Sequence, residues 1–136
     1  EVMPVIIDEE LAKEAKKTEE VVQIEDTKSE IKEERPRKKR NILIVLADKL
    51  EANRKKLKQI NSKMEDHLYF LLNNLNIRHN NTEQGSKEYR KYVADMDKET
   101  LEKWYDETYQ MCLLAFLELD NLERKEKVEQ LKQALN

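Results

Sequence analysis

One glycine and two prolines among 136 residues leave this chain few means of making tight turns. Turns draw on Gly, Pro, Asn and Asp, which supply the special or pre-set backbone angles that a reversal needs. A sheet of several hairpins requires such residues at every reversal, so the sequence predicts an all-α fold of long helices and few loops. Composition agrees. Charged residues make up 40 % and hydrophobic residues 38 %, against roughly 25 % and 45–50 % in ordinary globular domains. By length the chain is one domain at most.

Charge divides the chain into three zones. Residues 1–34 hold 12 acids and 5 bases, residues 35–63 hold 11 bases and 2 acids, and residues 64–136 hold 10 bases and 15 acids. The overall net charge of −3 hides a basic centre between acidic flanks. Residues 1–40 read as a charged, largely disordered tail, because too little apolar surface is present to offset chain entropy. Val5, Ile6 and Ile7, then Val21, Val22 and Ile24, stand out on it as short docking segments, and Asp8 can cap a short helix over residues 9–17. Pro36 is expected to interrupt any helix entering the next zone.

Residues 41–136 read as a long helical hairpin or coiled coil within a multi-helix bundle. Its helices are expected at about 41–76 and 98–135, with the main loop at about 78–86, where the only Gly and several polar turn formers gather. Alternating steps of three and four from Leu43 give Leu46, Leu50, Asn53, Leu57, Ile60, Met64, His67, Leu71 and Asn74, a heptad seam. Asn53 on that seam is a candidate register-setting residue. Asp97 is the expected N-cap of the second helix, whose apolar residues include Leu101, Trp104, Tyr105, Cys112, Ala115, Leu119, Leu122, Val128, Leu131 and Leu135. Around Leu68–Leu75 and Met111–Leu119 both helices become apolar nearly all round. Folding them back antiparallel brings these patches together, and further cover is expected from a second copy, a partner protein or the tail. The helix–helix interface is therefore assigned to Leu43, Leu46, Leu50, Leu57, Ile60, Met64, Leu71, Trp104, Leu119 and Leu122.

Two basic clusters carry the other functional signal. Arg35, Arg37, Lys38, Lys39 and Arg40 are followed by Arg54, Lys55, Lys56 and Lys58 at nearly bipartite spacing, a pattern that suits phosphate backbones or an import receptor. Aromatic residues do not interleave with them, so stacking on single strands is not expected. A basic-zipper factor needs one continuous helix running from its bases into its heptads; Pro36 speaks against that, and the base-reading Asn and Arg pattern is missing.

The catalytic signals are poor. His67 and His79 have no companion ligands at metal spacing, and Cys112 among apolar neighbours reads as a core thiol with a raised pKa. With one Gly, strained catalytic turns are hard to build. No cofactor is called for. The expected role is a non-catalytic structural or adaptor subunit of a larger assembly, acting by helix–helix association and nucleic-acid- or chromatin-associated. Alternatives are a viral or phage scaffolding or chaperone-like protein, or a nonspecific nucleic-acid binder using residues 35–58.

The expected partners are proteins or a second copy through the hairpin, with nucleic acid through the basic zone. The six-residue apolar run Ile42–Ala47 is far short of the ~20 needed to span a bilayer. No integral membrane contact is expected. The opening Glu1-Val2-Met3-Pro4 lacks the features of a signal peptide, and one unpaired cysteine suits a reducing compartment, so the setting is read as nuclear or cytoplasmic. The missing initiator methionine reads as a fragment.

Overall fold

The computed structural model describes the backbone of residues 24–136 and the side chains of residues 34–136. All regular structure among the described residues is helical: α1 (Ile24–Glu51), α2 (Arg54–Ile60), α3 (Ser62–Asn74), α4 (Lys91–Ala94) and α5 (Lys98–Leu135). The protein is all-α. The tail segments Val5–Ile7 and Val21–Val22, and the short helix expected over 9–17, lie outside the described residues; Ile24 opens α1.

Cross-chain pairs define the topology. Arg35 and Lys39 of α1 reach Glu102 and Asp106 of α5, so these two helices run parallel. Asn61, ahead of α3, donates to Glu118, whereas the carbonyl of Leu75 at the other end of α3 accepts from Tyr105, so α3 runs antiparallel to α5. The chain thus climbs through α1 and α2, descends through α3, turns through a loop and α4, and climbs again along α5.

This differs from the single helix expected over 41–76. The backbone turns at Ala52–Asn53 and again, more sharply, at Asn61, which is extended with φ −152° and ψ 85°. The Asn61 side chain accepts from the Met64 N–H (3.1 Å), as a helix N-cap does, and its amide donates to Glu118 Oε1 at 3.1 Å. Asn53 shares a cleft with Leu119 and Leu122 of α5. It sits half-buried at the first turn and makes no side-chain cap hydrogen bond to α2. His67, on the same expected seam, is exposed.

Pro36 corrects a second expectation, because it lies inside α1. A proline within a helix removes one backbone donor and costs about 3 kcal/mol. Here the residues on either side, Arg35 and Lys39, are tied to α5 by ion pairs, and those tertiary contacts hold the helix through the break in its ladder. The basic run is consequently part of the folded bundle.

The core forms where the three arms meet. α1 and α2 contribute Leu43, Ala47, Leu50 and Leu57; α3 contributes Met64, Leu68, Tyr69 and Leu72; α5 contributes Tyr105, Cys112 and Ala115. Ile44, Leu46, Leu71, Leu101 and Leu119 pack around them. The small residues Ala47, Cys112 and Ala115 are almost fully buried and let the helices approach closely. The cover over Leu68, Tyr69, Leu72 and Leu75 therefore comes from the same chain, chiefly from α5 and α2 with α1 joining the shared core, while Phe70 stays exposed. Sequence patterning foresaw the greasy patch, but the fold-back at Asn61 provides an internal third layer.

The loop between α3 and α4 is held by asparagines. Asn76 has the left-handed φ of 59°, which Asn tolerates better than most residues. Buried Asn81 accepts from the Asn76 N–H (2.6 Å) and donates to the carbonyls of Asn73 (3.1 Å) and Glu88 (2.7 Å). Its own N–H donates to Asn76 Oδ1 at 3.2 Å. Asp97 then caps α5 by accepting from the Thr100 N–H at 2.7 Å, and this bond holds its carboxyl below the usual range.

Candidate functional site

The structure separates the basic residues that the sequence groups together. Lys39 is 1 % exposed, with Nζ 2.6 Å from Glu102 Oε2 and 3.0 Å from Asp106 Oδ1. Arg35 Nε donates to the same Glu102 at 3.0 Å. Two bases one turn apart on α1 thus grip two acids one turn apart on α5. Arg40 Nε donates to the Asn76 carbonyl and fixes the loop to α1.

Arg54 Nε donates to Glu65 Oε2 at 2.6 Å, and its guanidinium lies 3.8 Å from the centroid of the Tyr69 ring. The hydrogen bond to Glu65 raises the Arg54 pKa further. Arg78 approaches the same ring at 5.5 Å and pairs with Glu51 at 3.4 Å. These cations hold helices and loop together. Arg37 and Lys38 make looser pairs with Glu34, at 3.6 and 3.7 Å. Of the nine bases in the two clusters, Lys55, Lys56 and Lys58, all on α2, are the ones exposed and outside these ion pairs.

Buried titratable groups sit in apolar surroundings. Burial pushes the Cys112 thiol up to about 12. It does the same to Tyr105, whose hydroxyl donates to the Leu75 carbonyl at 3.0 Å, with the Arg40 charge pulling slightly the other way. Tyr69 is also raised to about 12, first by desolvation and then by the Glu51 charge. A thiol held neutral in this way is a poor nucleophile. A cleft of about 560 Å³ opens between α1, the loop and the start of α5, and its lining mixes Arg37, Arg40 and Lys98 with Glu83.

The interface residues also divide. Leu43, Leu50, Leu57 and Met64 are buried; Leu46, Leu71 and Leu119 are partly buried against the core; Ile60 and Leu122 are half-buried. Trp104 is the exception at 43 % exposed, because its turn of α5 directs Tyr105 and Thr108 inward instead. Thr108 is satisfied within the helix by donating to the Trp104 carbonyl at 2.7 Å.

The feature that sequence patterning merged with the core is the outer face of α5. Leu114, Leu117, Val128, Leu131 and Leu135 are all exposed, Leu117 at 64 % and Leu131 at 58 %. At about 100° per residue they lie roughly opposite Cys112 and Ala115. From Glu123 onward every residue of α5 is exposed, so the helix continues past the corner at Asn61 as a projecting arm. Thirteen residues at 1.5 Å each make that arm about 20 Å long. Treating Val128, Leu131 and Leu135 as one face with Cys112 hid the second stripe; plotting them at helical angles separates the two.

Among the described residues no helix is long and apolar enough to cross a membrane, and no three His, Cys, Asp or Glu side chains converge as a metal site. Comparison of the chain with protein-family models, curated proteins and solved structures finds no match.

Proposed function

We propose that this protein is a non-catalytic structural or adaptor subunit that works by helix–helix association through the outer face of α5, in a nuclear or cytoplasmic setting. The observation that carries this reading is the row of exposed Leu and Val side chains on an arm that projects beyond its own bundle. A short helix by itself is marginal in water. A leucine stripe on such a helix gains most when a partner covers it, at about 25 cal/mol per Å² of apolar surface removed from water.

The test is photo-crosslinking. A photoreactive residue replaces Leu131, with the same replacement at exposed Gln84 in the loop as control, and adducts formed in extracts of the source cell are identified by mass spectrometry. The reading expects a defined adduct from position 131, lost on Val128→Glu, and none from position 84. Equal labelling from both positions, or none from either, defeats it.

A second reading has its own observation. Lys55, Lys56 and Lys58 stand exposed on one short helix, which suits contact with a nucleic-acid backbone. Three phosphate contacts correspond to a slope of about −2.7 in log affinity against log salt. A much steeper slope requires bases beyond these three and is not expected.

A further inference from the structure

We infer that the outer face of α5 is covered by a second copy of this chain, docked antiparallel about a two-fold axis between Leu122 and Glu123. This rests on the association reading above and names its partner. The stripe runs Leu114, Leu117, Asn121, Arg124, Val128 and Leu131 in alternating steps of three and four, all exposed. That is the spacing of a two-helix seam. Because it faces away from the core, two copies joined through it keep their bundles on opposite outer sides, without collision.

Charge selects the direction. The segment is acidic first and basic later: Glu118 and Asp120 precede Arg124, Lys125 and Lys127. Antiparallel alignment about the stated axis sets Leu114 against the partner's Leu131 and Leu117 against the partner's Val128. It sets Glu118, which also accepts from Asn61 of its own chain, beside the partner's Lys125, Asp120 beside the partner's Lys127, and Asn121 against the partner's Arg124. A closed two-fold pair satisfies every such contact twice. In-register parallel alignment keeps Asp120 beside the partner's Lys125 but stacks Arg124 on the partner's Arg124 and brings Lys127 beside the partner's Lys132, so repulsion offsets attraction. Arg124 pairs with Asp120 of its own helix at 2.9 Å. That pair is exposed and of the weak surface type, so it competes little with docking.

The experiment joins mass to geometry. Light scattering on the full chain at about 100 µM is expected to give twice the 16.3 kDa protomer mass, falling toward one protomer on dilution. Leu117→Cys with Val128→Cys is expected to form an intermolecular disulfide, and Leu117→Cys alone is expected to form little; native Cys112 is buried. Leu131→Glu, an exposed change that leaves the buried core and its cooperative unfolding intact, is expected to weaken self-association at least about tenfold.

A single-protomer mass at that concentration overturns the inference, and ready cross-linking of Leu117→Cys alone overturns the antiparallel arrangement. A single-protomer protein whose position 131 still photo-crosslinks to another polypeptide sinks the second copy while leaving the association reading standing. Failure of both measurements sinks both.

Discussion

Replacing Lys39 with methionine removes the ammonium that Glu102 and Asp106 share across the α1–α5 contact. Lys39 is 1 % exposed and the two carboxylates keep less than a fifth of their surface, so all three groups have left most of their water behind. Glu102 retains Arg35 at 3.0 Å after the change, but Asp106 is left beside an apolar side chain. Breaking one side of a buried pair costs about 3–5 kcal/mol, chiefly because the remaining charge is uncompensated.

Arg35 and the residual exposure place the expected cost at the lower end, about 3 kcal/mol, which corresponds to a fall in Tm on the order of 10 °C. Urea denaturation followed by circular dichroism measures it. Adding Asp106→Asn to Lys39→Met removes the orphaned charge and is expected to restore more than half of the loss, a coupling of about 2 kcal/mol. If Lys39→Met lies within about 0.5 kcal/mol of the parent protein, the ion cluster does not hold α1 in place and the account of Pro36 within a helix fails with it.

Leu57→Ala empties a fully buried position on α2 and is expected to cost about 2–5 kcal/mol in the same urea experiment; a change under 1 kcal/mol means that the α2 corner is not packed as described. Asn81→Ala leaves the Asn73 and Glu88 carbonyls and the Asn76 N–H without their partner. A loss of about 3 kcal/mol and faster proteolysis between α3 and α4 are expected, and unchanged protease sensitivity would count against the loop hub.

Tyr69, Tyr105 and Cys112 each hold their proton up to about pH 12 when folded, against 10 for a free tyrosine and 9 for a free thiol. The folded state binds these protons more tightly, so the stability they support is complete below about pH 9 and is lost as pH rises toward 12. The share of tyrosinate absorbance that belongs to the buried Tyr69 and Tyr105 is expected to develop together with loss of helix in that window; ionisation of all five tyrosines with the helices intact contradicts it.

What was legible in the sequence was whatever depends on local period. The helical repeat of Leu43, Leu46 and Leu50, the Asp97 cap and the long final helix all follow from near neighbours along the chain, although Ala47 is buried more fully than Leu46. The reversal at Asn61 does not. Its capping bond is local, but its other anchor, Glu118, lies 57 residues away, and helix propensity alone does not distinguish Asn61 from Asn53. Pro36 misled for the same reason, since the contacts that tolerate it come from Glu102 and Asp106.

The basic run held a readable hint. Arg35 and Lys39 are four apart, as are Glu102 and Asp106, and matched pairs at helical spacing suit a clasp between two helices. Without the topology, an acidic partner inside the chain and a phosphate outside it look alike. The stripe along α5 was in plain view as leucines, but which face of the helix the bundle uses is a tertiary fact.

Hydrogen exchange along α5 tests most directly whether the projecting arm is an association element covered by a second copy. At about 1 µM protein, the amides of residues 123–135 are expected to exchange nearly as fast as those of an unstructured peptide, while Tyr105–Ala115 stay protected by the core. At about 100 µM the arm should gain protection in step with the doubling of mass, and Leu131→Glu should abolish that gain. Protection of residues 123–135 that is the same at both concentrations contradicts the account.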